Sequence, residues 1–428
     1  MTGAGGLALD RVLATRLDTT TTGFPADIDL TVADVGSQEL TLFDDLVPPV
    51  VVLRAGALDH NLALMASYVR DHGVDLAPHG KTSMAPQLWA RQLDAGAWGL
   101  TAATPVQVRT MRSVGVPRIL LADELVDEGS IRWVARELAD PTFDFACWVD
   151  SARGVALLRQ GLAEARSPRP LKVMVELGHE HGRTGCRSVS EALDLAARVA
   201  EAPELELAGV AGYEGTICGD REQQCLAAVD AYLNDLRELV TQLLARGAFD
   251  AAGEAIVSAG GSSFFDRVVA TLGGPWPPGA PVRVVLRSGC YVTHDHGMYE
   301  RNSPLSDASE PDGRFLPAFE AWGAVLSRPE PGVVIIGLGK RDVPSDVDLP
   351  VALGARTSNG DRVDVPGIVV RKLMDQHAIC DVDDVAHLDV GDLVAFGVSH
   401  PCTAFDRRRV IPVVDERDRV VDAMVTFF

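Results

Sequence analysis

Short apolar runs alternate with amphipathic stretches from about residue 50 to about residue 290. The runs are typical of buried strands, and the stretches between them repeat apolar residues at helical spacing. The predicted strands are Asp75 to Lys81, Trp98 to Thr101, Arg118 to Ala122, Phe143 to Val149, Leu171 to Leu177, Leu207 to Tyr213, Ala255 to Ala259 and Val282 to Arg287. Eight strands with intervening helices, and one more helix at Leu58 to Tyr68, predict a closed α/β barrel of the (β/α)8 (TIM) type.

The pattern changes after Arg287, where strand-like runs are separated by Gly, Pro and Asp turns with almost no helical period. These runs are Val333 to Gly337, Gly367 to Lys372, Leu393 to Val398, Val410 to Val414 and Val420 to Thr426. We therefore expect two domains: a barrel over 45–290, and a mainly β domain over 291–428 that includes part of 1–44. The polar segment Thr293 to Gly313 is expected to be an ordered loop or a flexible cover.

Composition limits the partners and the location of the protein. Among 428 residues, 60 acidic and 39 basic side chains give a net charge of −21, which disfavours nucleic acid and anionic membranes as partners. The first fifteen residues do not resemble a secretion signal and no apolar run could span a bilayer, so a cytoplasmic location is expected. The seven scattered cysteines argue against a disulfide framework, and most are expected to be small core residues.

One lysine ends the first predicted strand. Lys81 follows His79 and Gly80 and precedes two hydroxyl residues. A lysine that is partly desolvated at the carboxyl end of a barrel strand has a neutral amine able to attack an aldehyde, so Lys81 is a candidate Schiff-base residue. On this segment alone, a solvated lysine is the alternative.

A glycine-rich turn follows the seventh predicted strand. Gly260 and Gly261 allow close approach of a ligand to the backbone, and Ser262 and Ser263 can donate hydroxyl groups. Barrels commonly bind phosphate at the loops after strands seven and eight. A Schiff-base lysine on strand one with a phosphate loop after strand seven indicates pyridoxal 5'-phosphate as the cofactor.

Polar and aromatic groups follow three other barrel strands. Arg183, after the fifth strand, can donate to the phenolate oxygen of a pyridoxal ring, or it can form a structural ion pair with Glu176 or Glu180. Tyr213 ends the sixth strand and Tyr291 follows the eighth, which places both at the same rim.

A candidate metal pair lies in the predicted β domain. His400 and Cys402 are two residues apart, and on a strand or tight turn both can face one side, where imidazole and thiolate suit zinc. Two ligands leave positions open, which fits a Lewis-acid metal better than a structural one. A buried cysteine with a hydrogen-bonded histidine is the alternative. His294 to His296 are further candidate substrate or metal contacts, or a solvated loop.

Taken together, these motifs resemble the fold-type III pyridoxal phosphate enzymes of the D-serine dehydratase and D-threonine aldolase family. The matching motifs are the lysine segment, Gly-His-x-x-Gly-Arg-Thr-Gly at Arg183, Tyr-Glu-Gly at Tyr213, Gly-Gly-Ser at Gly260, Arg-x-Gly-x-Tyr-Val-x-x-Asp at Tyr291 and Ser-His-Pro-Cys at His400. The order of the motifs is more specific than any one of them. The lysine segment reads His-Gly-Lys-Thr-Ser-Met where related enzymes often carry His-x-Lys-Thr-His, which leaves the substrate open.

The resemblance implies a role for each matched residue. Lys81 is the Schiff-base and catalytic lysine, and the cofactor contacts are Arg183, Tyr213 and Tyr291. The phosphate site consists of Gly260, Gly261 and Ser262, and a divalent metal, with zinc favoured, is bound by His400 and Cys402. The resemblance also implies a homodimer that acts on a small amino acid.

The implied activity is that of a metal-dependent lyase on a D-3-hydroxy amino acid. In the dehydratase branch of the family the metal pair resembles His-x-Cys, whereas the aldolase branch tends to carry Asp in place of the cysteine. Cys402 therefore favours elimination to a keto acid and ammonia, and retro-aldol cleavage to an amino acid and an aldehyde is the alternative.

Two further functions are considered. A non-catalytic pyridoxal phosphate carrier needs only a barrel, so a second domain with a metal pair argues against it. Amino acid racemization typically needs a tyrosine from the β domain as a second acid/base residue. None of the five tyrosines lies beyond Tyr299, which argues against racemization.

Overall fold

The structure is a computed structural model that describes residues 6–278, 281–364, 367–383 and 388–428. Two compact units are present. The first, here called the barrel unit, consists of Ala66–Lys81 and Gln92–Gly289, and the second, the β unit, consists of Met1–Met65, Thr82–Arg91 and Cys290–Phe428. The domain limits 45–290 and 291–428 stay a prediction.

The β unit begins with short elements. They are helix α1 (Asp10–Leu13) and strands β1 (Arg16–Leu17), β2 (Leu30–Thr31) and β3 (Val50–Arg54). Strands β1 and β2 pair in antiparallel fashion. The first four residues of β3 are consecutive, apolar and buried, as expected for a strand covered on both faces.

Eight parallel strands form the sheet of the barrel unit: β4 (Asp75–Leu76), β5 (Leu100–Ala102), β6 (Arg118–Glu124), β7 (Asp144–Val149), β8 (Leu171–Leu177), β9 (Leu205–Gly212), β10 (Ala255–Ala259) and β11 (Val282–Leu286). Their order is β4-β11-β10-β9-β8-β7-β6-β5. A parallel bridge between His79 and Thr101 joins the two ends of this order. The predicted (β/α)8 barrel is therefore confirmed.

Helices alternate with these strands along the chain: α2 (Ala55–Asp71), α3 (Pro86–Asp94), α4 (Pro105–Ser113), α5 (Glu128–Glu137), α6 (Ala152–Glu164), α7 (Val189–Ala200), α8 (Gln223–Ala245) and α9 (Phe265–Leu272). Side-chain caps fix several starts, because Thr104, Asp127, Ser151 and Ser188 each accept a backbone N–H of the first turn. Of the helices in the described part of the chain, none is both long and apolar enough to cross a membrane.

The predicted barrel strands agree with the structure, and β8 and β10 agree residue for residue. The first strand differs most, since β4 ends at Leu76 rather than at Lys81. Pro78 interrupts it because proline has no N–H to donate, although its carbonyl oxygen still accepts the N–H of Thr101 at 2.9 Å.

The interior of the barrel is filled by one cluster of buried side chains: Ala77, Leu120, Ala146, Trp148, Met174, Ala211, Ile256 and Val285. Successive side chains alternate between the two faces of a strand. Two positions further on along the strands, toward their carboxyl ends, stand His79, Ala122, Asp150, Glu176, Tyr213, Ser258 and Arg287. These residues are mostly polar, whereas the cluster below them is apolar.

The β unit contains a larger sheet, to which β3 belongs. The other strands of this sheet follow helix α10 (Met298–Asn302), and they are β12 (Phe319–Glu330), β13 (Val333–Ile336), β14 (Val351–Arg356), β15 (Arg362–Val363), β16 (Val369–Leu373), β17 (Ala378–Asp381), β18 (Leu393–Gly397), β19 (Val410–Val414) and β20 (Val420–Val425). Strands β12, β13, β17, β16, β14 and β18 pair in a closed ring, and β3, β19 and β20 extend from β12. The predicted mainly β C-terminal domain is confirmed as a fold class.

The cysteines depart from expectation at one place. Cys147, Cys186, Cys290 and Cys380 are buried, as expected for core residues. Cys218 and Cys225, by contrast, are joined by a disulfide. Cys218 lies in the loop between β9 and α8, and Cys225 lies in the first turn of α8. Sequence spacing did not indicate this pair, because pairing depends on the distance between two Cα atoms in the folded chain.

Candidate active site

Lys81 lies five residues beyond the end of β4, in the turn after the parallel bridge between His79 and Thr101, rather than within the strand as predicted. The backbone before it is held in place, since Gly80 donates its N–H to the carbonyl oxygen of Thr101 at 2.8 Å. A Cβ atom at Gly289 would lie 2.5 Å from the carbonyl oxygen of His79, so only glycine fits there. The amine is thus carried by a fixed backbone, and the side chain is partly exposed.

His79 provides a neutral imidazole in the barrel. Its Nδ1 atom is buried and has no hydrogen-bond partner among the residues that the structure describes. Burial lowers the pKa of His79 well below its ordinary value, and the cations Lys81, Arg287 and Arg183 lower it further. The ring is therefore uncharged at physiological pH, with one nitrogen available to a ligand.

Arg287 is a buried cation that the sequence analysis did not assign to the site. Only 6% of it is exposed, and it follows the last residue of β11. Its guanidinium donates to the Ser258 hydroxyl at 2.8 Å and to the carbonyl oxygen of Gly212 at 2.7 Å. Burial lowers the pKa of Arg287, and the Glu214 carboxylate opposes that shift. The sequence did contain a signal for a buried cation here, because an arginine directly follows an apolar strand.

The predicted phosphate loop already binds an anionic group. Glu214 is fully buried, and its two carboxylate oxygens accept the N–H of Gly260 at 3.1 Å and the N–H of Gly261 at 2.6 Å. The two N–H groups therefore converge as an anion site requires. Ser262, the third predicted phosphate contact, is partly exposed beside them.

Gly260→Ala is expected to destabilise this loop. Gly260 has φ +93°, and a Cβ atom there would lie 2.6 Å from a methyl carbon of Leu286. Strain of this kind costs on the order of 1–3 kcal/mol. The measurement is the melting temperature with and without pyridoxal phosphate. Gly274→Ala is the control, because nothing lies within 4 Å of a Cβ atom at Gly274. Equal melting temperatures for the two variants would contradict the strain argument.

Arg183 and Tyr213 are brought together. The guanidinium of Arg183 lies over the Tyr213 ring, 4.7 Å from its centroid. Tyr232 fixes the backbone there, because its hydroxyl accepts the N–H of Tyr213 at 2.9 Å and donates to the carbonyl oxygen of Leu177 at 2.6 Å. Arg183 is exposed, and within the described residues no ion pair joins it to Glu176 or Glu180, so its contact with a cofactor stays a prediction.

Two carboxyl groups of the barrel interact with each other, those of Glu124 at the end of β6 and Glu176 on β8. Both oxygens of Glu124 and Oε2 of Glu176 are buried, and among the described residues no other group donates a hydrogen bond to them. Burial, followed by the charge of Glu176, raises the pKa of Glu124 to about 9. Glu124 is therefore protonated at neutral pH.

Glu124→Gln should flatten the dependence of stability on pH. Because the pKa of Glu124 is raised on folding, the folded protein holds a proton there that the unfolded chain releases above about pH 5. The free energy of unfolding therefore falls as pH rises toward 9, by at most about 1.4 kcal/mol per pH unit and by less because the group is partly exposed. Urea unfolding at pH 5.5 to 8.5 tests this, with exposed Glu201→Gln as the control. Equal pH slopes in wild type and Glu124→Gln would refute it.

The predicted metal pair lies in the β unit together with a second thiol. Cys402 Sγ is 3.3 Å from Cys290 Sγ and 3.2 Å from the hydroxyl oxygen of Thr82. The hydrogen bond with Cys402 lowers the pKa of the Cys290 thiol to about 6, although burial opposes this shift. Neither Cys290 nor Thr82 was predicted to lie at this site, since nothing in their spacing relates them to Cys402.

His400 is oriented by a carboxylate. Its Nδ1 lies 2.7 Å from Asp346 Oδ2, and the hydroxyl of Thr403 donates to the other oxygen of Asp346 at 2.7 Å. A histidine that binds metal through one ring nitrogen usually donates from the other to such a group. Imidazole and thiol are ligand types that suit a divalent metal, but the described residues contain no group of three or more His, Cys, Asp and Glu side chains placed to hold one, so the metal pair stays a prediction.

The segment after Tyr291 is buried rather than solvated. Tyr291 is itself buried, with its ring centroid 5.9 Å from that of Phe315. Asp295 accepts three backbone N–H groups through Oδ1, while burial raises its pKa to about 6. Burial lowers the pKa of His296 to about 4. These residues form a structural turn in the β unit, and His294, with φ +47°, belongs to it.

The sequence matches two protein-family models. The alanine racemase N-terminal domain model matches residues 53–266, which is half of the chain, and the serine dehydratase domain model matches residues 318–414. The two matches fall in the barrel and in the C-terminal strands, respectively.

Known relatives span nearly the same length. D-threonine aldolase from Arthrobacter sp is 25% identical over 378 residues, 87% of this chain and 90% of that protein. The solved D-threo-3-hydroxyaspartate dehydratase from Delftia sp. HT23 is 21% identical, with a TM-score of 0.70 over 90% of this chain and 99% of that chain. A D-threo-3-hydroxyaspartate dehydratase with a cysteine-to-alanine substitution, in the metal-free form, is 20% identical, with a TM-score of 0.70 over 91% and 99%. As the motifs predict, the chain belongs to the alanine racemase N-terminal domain family, in the fold-type III group that joins this barrel to a serine dehydratase domain.

Proposed function

We propose that the protein is a pyridoxal phosphate- and divalent metal-dependent lyase that eliminates the hydroxyl group of a D-3-hydroxy amino acid, giving a keto acid and ammonia. The observation that carries the proposal is the pair His400 and Cys402, an imidazole held by a carboxylate two residues before a thiol in the chain. Thr82, whose hydroxyl lies at that thiol, is the residue after Lys81 in the chain.

Polar groups of the barrel support pyridoxal phosphate as the cofactor. They include a neutral imidazole at His79, a buried cation at Arg287 and a glycine loop whose N–H groups at Gly260 and Gly261 already bind the carboxylate of Glu214. Because that N–H pair binds Glu214, we expect the Ser262 hydroxyl to contribute to phosphate binding. The residues proposed to hold the cofactor are Lys81, Arg183, Tyr213, Gly260, Gly261, Ser262 and Tyr291.

The chemistry is divided between the bound groups and the side chains. When bound, pyridoxal phosphate supplies an electron sink for the pair left at Cα, and the metal supplies Lewis-acid stabilisation of the departing hydroxyl. The amine of Lys81 would remove the Cα proton as general base. Asp346 would keep Nδ1 of His400 occupied, so that Nε2 is the nitrogen offered to the metal. The released unsaturated amine hydrolyses to the keto acid and ammonia.

Zinc is the proposed metal because thiolate ligands favour it over magnesium and manganese. A metal-free relative with a cysteine substitution supports a cysteine ligand. A homodimer and a cytoplasmic location are proposed with the activity, on the family resemblance and on composition.

Aldol cleavage is the second candidate, and the similarity to D-threonine aldolase from Arthrobacter sp favours it. The same lysine and the same metal pair would serve, but the bond between Cα and Cβ would break in place of the bond to the hydroxyl. A carrier without turnover and a racemase are less well supported. The first leaves the pair at His400 unexplained, and the second lacks a tyrosine after Tyr299.

The test is a product assay on the full chain with pyridoxal phosphate and zinc. D-serine, D-threonine and D-threo-3-hydroxyaspartate are each incubated, and keto acid, aldehyde and glycine are measured separately, with and without a chelator. Keto acid that forms only with metal supports elimination, whereas aldehyde with glycine supports aldol cleavage. Absence of turnover on all three substrates, despite bound cofactor and zinc, would count against both.

A further inference from the structure

A second thiol lies against the proposed metal ligand Cys402. Sγ of Cys290 is 3.3 Å from Sγ of Cys402, and the hydroxyl oxygen of Thr82 is 3.2 Å from Cys402 Sγ and 3.6 Å from Cys290 Sγ. Cys290 is only 5% exposed. Two sulfur atoms and one hydroxyl therefore meet at one point in the β unit.

We propose that Cys290 is a third ligand of the metal, which makes the site a pair of thiolates with one imidazole and leaves one coordination position open. This inference rests on the metal dependence proposed above. It adds a ligand from the segment after β11, which no motif of the sequence relates to the pair at His400.

The distance between the sulfur atoms suits shared metal ligation. Two thiolates on one tetrahedral zinc, each about 2.3 Å from the ion, lie about 3.8 Å apart. The observed 3.3 Å is closer to that separation than to the 2.05 Å or so of a disulfide.

The other donors complete the arrangement. Because Asp346 occupies Nδ1 of His400, Nε2 remains for the metal. The hydroxyl of Thr82 can donate to one thiolate, as outer-shell groups at metal sites do. Since no group of three such side chains is already placed in the described part of the chain, binding must draw the imidazole and the two thiols together.

A second thiolate changes which metal the site prefers. Two thiolates and a neutral imidazole balance the charge of a divalent ion, and thiolates select zinc over the hard cations magnesium and manganese. One open position is what a catalytic zinc site keeps for water or substrate. A site with Cys402 as its only thiolate would discriminate less between zinc and manganese.

X-ray absorption at the zinc edge tests the proposal on the wild-type full chain. The expected result is two sulfur scatterers per zinc, each at about 2.3 Å. One sulfur per zinc would overturn the proposal, and so would a reduced, folded protein that binds no zinc stoichiometrically. Because this measurement needs no variant, it does not depend on how a substitution folds.

Variants give an independent readout. With cobalt in place of zinc, the thiolate-to-metal absorption should fall by about half in Cys290→Ala and in Cys402→Ala, and zinc affinity should fall at least about 10-fold, since loss of an outer-shell partner alone has that effect. Cys380→Ala, at a buried position on β17 in the same unit, should keep the full band. A full band in Cys290→Ala would overturn the proposal.

Turnover separates this inference from the proposed function. Two sulfurs per zinc without keto acid or aldehyde formation would leave the ligand assignment intact and reject the lyase. One sulfur per zinc in an active enzyme would reject Cys290 as a ligand and leave the lyase intact.

Discussion

Lys81→Arg is expected to abolish covalent attachment of pyridoxal phosphate and to lower turnover about 10²- to 10⁴-fold, the range for loss of a general base. Arginine keeps the positive charge, but it has no neutral amine to form an imine or to take the Cα proton. The measurement is yellow absorbance that borohydride fixes to the protein, read beside the rate of product formation. The borohydride-fixed absorbance and the turnover should be lost together, because the amine nitrogen of Lys81 is assigned both the imine bond and the removal of the Cα proton.

Lys172→Arg is the matched control for that experiment. Lys172 lies near the opposite end of barrel strand β8, and its amine forms an ion pair with Asp144 at 2.9 Å. Arginine can keep that pair, so this variant should retain both the absorbance and turnover. Should Lys81→Arg retain cofactor that borohydride fixes to the chain, the assignment of position 81 is wrong, and the proposed cofactor chemistry falls with it.

His400→Ala is expected to remove the metal and to lower kcat/KM at saturating pyridoxal phosphate by about 10²- to 10³-fold, since Lewis-acid stabilisation is worth several kcal/mol. The imidazole is placed for this role, with Nδ1 held by Asp346 at 2.7 Å. Zinc content by elemental analysis and the rate of keto acid formation are measured on the same preparation. Covalent attachment of cofactor at Lys81 should be unaffected, because that chemistry needs no metal.

Two further variants sharpen the result. His377→Ala removes an exposed histidine of the same unit and should change neither zinc content nor rate. Asp346→Asn keeps a hydrogen bond to the imidazole but removes the charge, so zinc affinity should fall by about 10- to 100-fold, less than for the loss of His400 itself. Retention of one zinc per chain and full rate in His400→Ala would show that the metal is held elsewhere or is not needed.

The barrel could be read from the sequence because its strands and helices carry strong periodic signals. Residues 145–149 of β7 are apolar and buried on both faces, as expected for a strand between helices and a barrel interior. The C-terminal strands β19 and β20 were found for the same reason. By contrast, β12 and β14 were missed: β12 ends in exposed polar residues, and β14 is largely exposed. A strand that is exposed over part of its length has no unbroken apolar run to mark it.

The candidate site was predicted in part. Motif order located Lys81, Arg183 and His400, which stay predictions as functional residues. Spacing could not show that Glu214 already binds the N–H pair of the glycine loop, or that Asp346 holds the imidazole. These contacts join residues 46 and 54 positions apart, and no local pattern records them.

The sequence by itself determined the fold class, the family and the position of the lysine, because alternation of side chains and the order of motifs are properties of the chain read from end to end. Only the tertiary structure decided which groups meet: Cys290 with Cys402, Arg287 with Ser258, and Glu124 with Glu176. The reason is physical. Hydrogen bonds, desolvation and charge act over a few ångströms, and the folded backbone alone sets those distances.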